Sequence, residues 1–188
     1  MSKPVICIGA ALVDELFHAT SELLLSTTTD ATVTKTTGGV SRNIAQQLAL
    51  FNVPVQLITA VGDDSDGDWL KQSCSKAGVK LDATITRKGL SGKYTGILNV
   101  DGSLHTAFLT NAANHLITPE HLSKHIDLLR TASYLLADAN INVDTAEWLL
   151  AFSKETGIPF VIEPVSVPPA TKFRDVKLDG RHSITPHE

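Results

Sequence analysis

The sequence predicts an α/β fold in which a mostly parallel sheet lies between helices and carries a small antiparallel β appendage. Three observations carry that expectation. The continuous apolar runs Val5-Ile6-Cys7-Ile8, Tyr134-Leu135-Leu136-Ala137 and Phe160-Val161-Ile162 suit strands buried on both faces. Between them lie segments whose apolar residues recur at helical spacing. Residues 30–36 and 94–108 break the rhythm, being β-prone but only modestly hydrophobic.

Taken in order, residues 5–9 form the first buried strand, closed by Gly9. Thr27-Thr28-Thr29 and residues 31–36 read as an exposed, edge-like strand. After Gly38-Gly39 a helix sets Ile44, Leu48 and Phe51 on one face. Residues 55–62 return to strand, and Trp69, Leu70, Cys74 (or Ser73) and Ala77 mark a helix that Gly78 ends. Residues 94–100 and 103–108 flank Asp101-Gly102, which predicts a hairpin with a two-residue loop and positive φ at both turn positions. Thr118-Pro119 caps and starts one helix burying Leu122, Ile126 and Leu129. A strand over 134–138 follows, then a helix over 144–155 with Ala146, Leu149 and Leu150 inward. Gly157 stops it before a strand over 159–163.

The composition excludes several function classes. A chain of 188 residues can bury one core, and 43% hydrophobic with 19% charged residues reads as soluble and globular. Twenty acidic against 16 basic residues argues against a nucleic-acid partner. No apolar run approaches the roughly 20 residues of a membrane span. Strand-like sequence starts at Val5, which leaves no room for a signal peptide. Cys7 and Cys74 sit in separate apolar segments, which predicts buried free thiols and a cytoplasmic setting.

Most chemical motifs fail. Gly9 is followed by Ala10-Ala11-Leu12-Val13-Asp14, so no dinucleotide fingerprint follows the first strand, and Gly89-Leu90-Ser91-Gly92-Lys93-Tyr94 is too short for a phosphate loop. Asp64-Ser65-Asp66-Gly67-Asp68 has its glycine too early for a calcium loop and reads as an acidic first helical turn. His121 and His125 read as solvated helix histidines, and no G-x-S-x-G elbow occurs.

Polar residues at the C-terminal ends of buried strands remain. Asp14 follows the first strand, Asp138 ends another, Asn140 lies in the next loop, and Glu163 ends a third before Pro164. Open α/β sheets bind ligands at that edge. A single carboxylate there is equally well a turn or cap residue. Several acceptors on one rim suit an uncharged, hydroxyl-rich ligand. Gly38 and Gly39 would let such a ligand approach the main chain, and Asn43 offers an amide donor and acceptor. The competing reading is a sharp turn with Asn43 on the surface. No lysine or hydroxyl stands in phosphate-loop register, so a sugar fits the glycine pair better than a phosphate.

Ile6–Asp14, Gly38-Gly39-Val40-Ser41-Arg42-Asn43-Ile44-Ala45, Ala60-Val61-Gly62-Asp63-Asp64-Ser65-Asp66-Gly67 and Thr95-Gly96 together resemble the ribokinase-like (PfkB) carbohydrate and nucleoside kinases. Within that family, residues 39–45, 137–141 and 163–167 are most similar to the pseudouridine kinases. The resemblance implies a three-layer α/β/α sandwich with a β lid at about 15–37 and 92–110. It implies that Asp14 and Asn43 hold ribose hydroxyls beside Gly38 and Gly39, under a lid that includes Thr95. It assigns Asp138 and Asn140 to the substrate side and Glu163 to the magnesium region.

The implied reaction moves the ATP γ-phosphoryl to a primary sugar hydroxyl with Mg2+ and a bound monovalent cation. The implied partners are a small nucleoside or sugar and, through the lid, a second copy of the chain. Two departures stand out. The family's Gly-Ala-Gly-Asp type motif, which holds its base and anion hole, is absent, and His187 replaces an asparagine in the segment Ile184-Thr185-Pro186-His187-Glu188 near the nucleotide. The expectation is therefore a partial kinase domain over 1–188, lacking the catalytic C-terminal third and inactive alone.

Overall fold

Apolar runs and amphipathic segments alternate along the chain, and the computed structural model stacks them in three layers. It describes residues 2–110, 112–166, 171–174, 176 and 182–184. The central sheet contains β1 (Val5–Ile8), β4 (Val55–Ile58), β9 (Tyr134–Asp138), β10 (Phe160–Glu163) and β11 (His182–Ile184). Their order is β11-β10-β9-β1-β4, with every pair parallel.

Alternation along these strands feeds two cores. Ile6, Ile8 and Ile58 join the side packed by α3 (Pro119–Lys124), α4 (Ile126–Arg130) and α5 (Val143–Thr156). Cys7, Val55 and Leu57 join the side packed by α1 (Val40–Leu50) and α2 (Ser65–Lys76). Ile6, Ile8, Leu57, Leu135 and Leu149 are fully buried, each worth about 1.5–3 kcal/mol of burial. Both cysteines are free and buried. Burial, reinforced by the Asp138 charge, pushes the Cys7 thiol up to about 12. No helix among the described residues is long and apolar enough to cross a membrane.

A second sheet stands apart, made of β3 (Ala31–Gly38), β2 (Leu12–Ala19), β7 (Gly92–Leu98) and β8 (Leu104–Thr110) in that order. β2 is antiparallel to β3 but parallel to β7, so this lid is mixed rather than antiparallel. The sequence alone marks no strand over 12–19, although the implied lid range 15–37 takes in most of β2, one of the lid's two inner strands.

Other differences are local. Residues 55–62 split at Thr59, after which β5 (Ala60–Gly62) leaves the central sheet to pair with β6 (Ile85–Arg87). The helix expected after Pro119 breaks at His125 into α3 and α4, although Thr118 caps it as expected. His121 is not merely solvated, since its Nε2 lies 2.9 Å from the Ala83 carbonyl. The hairpin closes on Asn99–Ser103 pairing and a turn from Asn99 to Gly102. Only Gly102 takes positive φ there, which is the three-residue loop with a glycine bulge. Phe51 is 77% exposed because α1 ends one residue earlier and Asn52, at φ 60°, turns the chain away.

Candidate functional site

Three loops meet at the C-terminal end of β1, and a buried carboxylate ties them together. Asp138 is fully buried at the end of β9. Its Oδ2 accepts from the main-chain N–H groups of Ala10 and Ser41, each at 2.9 Å, and its Oδ1 from that of Asn140 at 2.9 Å. Three such donors satisfy an anion that burial would otherwise penalise. Ser41 Oγ donates to the Ile8 carbonyl. Gly9 is required, because a Cβ would lie 2.4 Å from Asp138 Oδ1. Asp138 therefore serves the chain's own main chain.

The start of α1 follows from that clamp. The N–H groups of Ser41, Arg42 and Asn43 go to Asp138, the Ala10 carbonyl and the Gly39 carbonyl. No fork of free amides is left there for a phosphate. The glycine pair leaves room for neighbouring protein atoms. A Cβ on Gly38 would lie 2.3 Å from Asp14 Oδ2, and one on Gly39 would lie 2.3 Å from the Ala10 carbonyl oxygen. Gly39 also holds φ at 100°, which other residues adopt only under strain.

Asp14 thus lies against the backbone just ahead of α1. It is half-buried, and burial raises its pKa against the opposing pull of the nearby Arg42. Arg42 is only 5% exposed. Its Nη1 donates to the Thr37 carbonyl (3.0 Å) and to Asn43 Oδ1 (2.6 Å), and its Nη2 to the Thr37 hydroxyl and to Ser73 Oγ (3.2 Å). Asn43 is exposed. The sequence reading did not single out Arg42. The available signal was its place three residues before buried Ala45, on the inward face of α1.

Thr95 is not part of this cluster. It pairs in register with Glu15, whereas Asp14 pairs with Tyr94 and Thr36. Strand alternation therefore turns Thr95 to the opposite face of the lid. There it lines a cavity of about 420 Å3 with Asp66, Ser91 and Lys93. On the Asp14 face, Gly96 leaves space for Leu16, whose Cδ2 would be 2.8 Å from an added Cβ.

The chain matches the pfkB family carbohydrate kinases over residues 2–183. It belongs to that family. It is 30% identical over 184 residues to a pseudouridine kinase of Escherichia coli strain K12, covering 97% of this chain and 58% of that one. It is 35% identical over 138 residues to the uncharacterized sugar kinase YeiI of the same organism, covering 73% and 38%. The chain thus spans less than two thirds of these curated relatives. Among solved structures, a carbohydrate kinase from Agrobacterium tumefaciens shares the fold with a TM-score of 0.83 and 24% identity, covering 92% of this chain and 57% of that one. A ribokinase from Arabidopsis thaliana, solved with ribose and ATP, gives 0.80 and 22%, covering 89% and 55%.

The Val61-Gly62-Asp63-Asp64…Gly67 block of this pfkB chain joins β5 and the start of α2 to the lid. Asp64 Oδ1 caps α2 at the Gly67 N–H (2.8 Å) and accepts from Ser91 Oγ (2.6 Å), while its Oδ2 accepts from the Ser91 N–H (3.0 Å). Ser91 leads directly into β7, so the block fixes the root of the lid.

Glu163, beside Asp138 in register, is half-buried, and its Oε1 accepts from the Val165 N–H at 3.1 Å. No group of three His, Cys, Asp or Glu side chains that could hold a metal occurs among the described residues. Asn140 reaches the cluster through its main-chain bond to Asp138. His187 lies outside the described residues.

Proposed function

We propose that these residues are the acceptor-binding part of an ATP-dependent sugar or nucleoside kinase of the pfkB family. The observation that carries this reading is the half-buried Asp14 carboxylate, held against Gly38 beside the Arg42–Asn43 pair. A carboxylate there accepts hydrogen bonds from sugar hydroxyls, and the Asn43 amide adds a neighbouring contact. Asp138 holds the loops bearing both groups at fixed spacing, which is how orientation contributes to group transfer. Bound ATP would supply the phosphoryl group. A base and an anion hole for that transfer have no counterpart here, since no Gly-Ala-Gly-Asp sequence occurs in the 188 residues.

The finer reading is a ribosyl nucleoside, with pseudouridine as the first acceptor to test, because one of the relatives is a pseudouridine kinase at 30% identity. Binding titrations and ATP-dependent turnover with pseudouridine, ribose, uridine and adenosine test both levels. Pseudouridine is expected to bind best, and Asp14→Ala to weaken it about tenfold or more. Ribose performing as well as pseudouridine would remove the finer reading, and no binding by any of the four would remove the broader one. The missing base motif also favours a second reading, a module that binds the acceptor without turnover by these 188 residues alone. The proposal includes pairing of two lids, for which the more than half-exposed Val33, Leu104, Phe108 and Leu109 supply apolar surface.

A further inference from the structure

Resting on the acceptor-binding reading, we infer that Arg42 is a positioning residue that fixes which way round the Asn43 amide is held. The site then offers a donor, Asn43 Nδ2, at the first turn of α1, which begins just after the Gly38 on which Asp14 packs.

The argument starts from the guanidinium. It carries only donors, so the amide atom 2.6 Å from Arg42 Nη1 is the oxygen, Oδ1. An exposed asparagine has two amide orientations of similar energy. Here one of them would set the Nδ2 donors against a cation. With Oδ1 occupied, Nδ2 has no partner among the described residues and remains for a ligand or water.

Arg42 can impose this orientation because it is itself held. The Thr37 carbonyl and hydroxyl grip the fork on one side and Ser73 Oγ of α2 on another, and the residue is buried. The two halves of the site are also linked through the chain. Thr37 immediately precedes Gly38, on which Asp14 packs, and Asn43 closes the first turn of α1 on Gly39. One buried cation thus sets the register of the acceptor's backbone support and the sense of the donor. An amide already oriented loses less freedom on binding than one that must be chosen by the ligand.

A double-mutant cycle tests this. Arg42→Met is expected to weaken binding of ribose or pseudouridine about tenfold in the wild-type background and to add nothing in an Asn43→Ala background. Arg42→Lys, which keeps the charge without the fork, should recover part of the loss. Asn43→Asp keeps an oxygen for Arg42 but removes the donor. It should raise Tm when Arg42 is present, lower it in Arg42→Met, and abolish binding in both. An Arg42→Met loss that persists undiminished in Asn43→Ala, or an Asn43→Asp protein that binds as tightly as wild type, would overturn the inference while leaving the acceptor reading intact. Tm coupling as described, with no ribosyl ligand bound by the wild type, would instead refute the acceptor reading.

Discussion

The central sheet and the lid sheet are built by opposite rules. Every residue of β4 is buried, and β1 is buried except at its first residue. In β3 the first six residues are exposed, and β8 is exposed at all but one position. The central sheet is held by two apolar cores, one on each face. The lid has a hydrogen-bonded ladder but little core, and it is anchored at its root by Asp64–Ser91, Lys35–Asp66 and the Asp14–Gly38 contact. Local stability should differ accordingly, with the lid opening at lower free energy than the sheet beneath it. The proposed acceptor residues lie at the seam, where a rigid support meets a movable cover.

The largest effect expected from breaking this arrangement is at the seam's buried carboxylate. Asp138→Ala leaves the N–H groups of Ala10, Ser41 and Asn140 without their partner in a dry site. The expected loss is about 3–5 kcal/mol, read as a fall in Tm of about 6–20 °C. A fall of under about 3 °C would show that water or repacking replaces the clamp.

A matched pair of truncations comes next. Leu149→Ala, in the core under the central sheet, should cost about 3 kcal/mol. Leu109→Ala, at 54% exposure on the lid, should change stability by no more than about 0.5 kcal/mol. Equal costs would mean that a partner covers the lid in solution, which a mass measurement would reveal.

Asp64→Ala sharpens the comparison because its effect should be confined to one region. It removes a helix cap and the Ser91 anchor together, at about 1–2 kcal/mol. Amide exchange should quicken in β7 and α2 while β1, β4 and β9 keep their protection. Uniform loss of protection would indicate that lid and core unfold as one unit. The same anchor has a pH signature. Burial of Asp64 raises its pKa, but the Ser91 hydroxyl, the Ser91 N–H and the Gly67 N–H outweigh it and leave the pKa below 3.8. A lowered folded value means that the anchor stabilises fully above the unfolded pKa and is lost as pH falls through the folded one. Acid should therefore loosen the lid of the wild type more than that of Asp64→Ala.

The central layer was legible in the sequence for the same reason that it is stable. Buried strands need continuous apolar runs, and caps such as Thr118 and the φ 72° stop at Gly157 have strict residue preferences. β2 was not legible because Leu12-Val13-Asp14-Glu15-Leu16-Phe17-His18-Ala19 pairs its apolar residues instead of alternating them. Its root is buried and its middle half-buried. At the site, Asp14, Gly38, Gly39, Asn43 and Asp138 were singled out, and their loops do converge. What they do could not be read locally. The face of Thr95 depends on its pairing with Glu15, 80 residues away in sequence. The glycines answer to Asp14 and Ala10, and Asp138 answers to amides in two distant loops. Each of these is a long-range contact, invisible to periodicity.

A small effect on stability is expected at Asp14, and its sign separates function from folding. Burial raises the Asp14 pKa more than Arg42 lowers it. A carboxylate whose folded pKa exceeds its unfolded value binds protons more readily in the native state. Its contribution is therefore most favourable below the unfolded pKa and is lost as pH rises through the folded one. At neutral pH the ionised Asp14 is a mild burden on the fold, retained at a place where an acceptor of charge-assisted hydrogen bonds is useful. Asp14→Asn, nearly the same in shape, removes that burden. Its Tm should exceed that of the wild type by about 1–3 °C at pH 7, with the difference shrinking as pH falls toward 4. Ribosyl binding should weaken in the same protein, because an amide offers one acceptor where the carboxylate offers two. An Asp14→Asn protein less stable than wild type at pH 7 would show that the Arg42 attraction, and not burial, dominates at this position. The seam would then be held together by its charges rather than carrying one for the sake of a ligand.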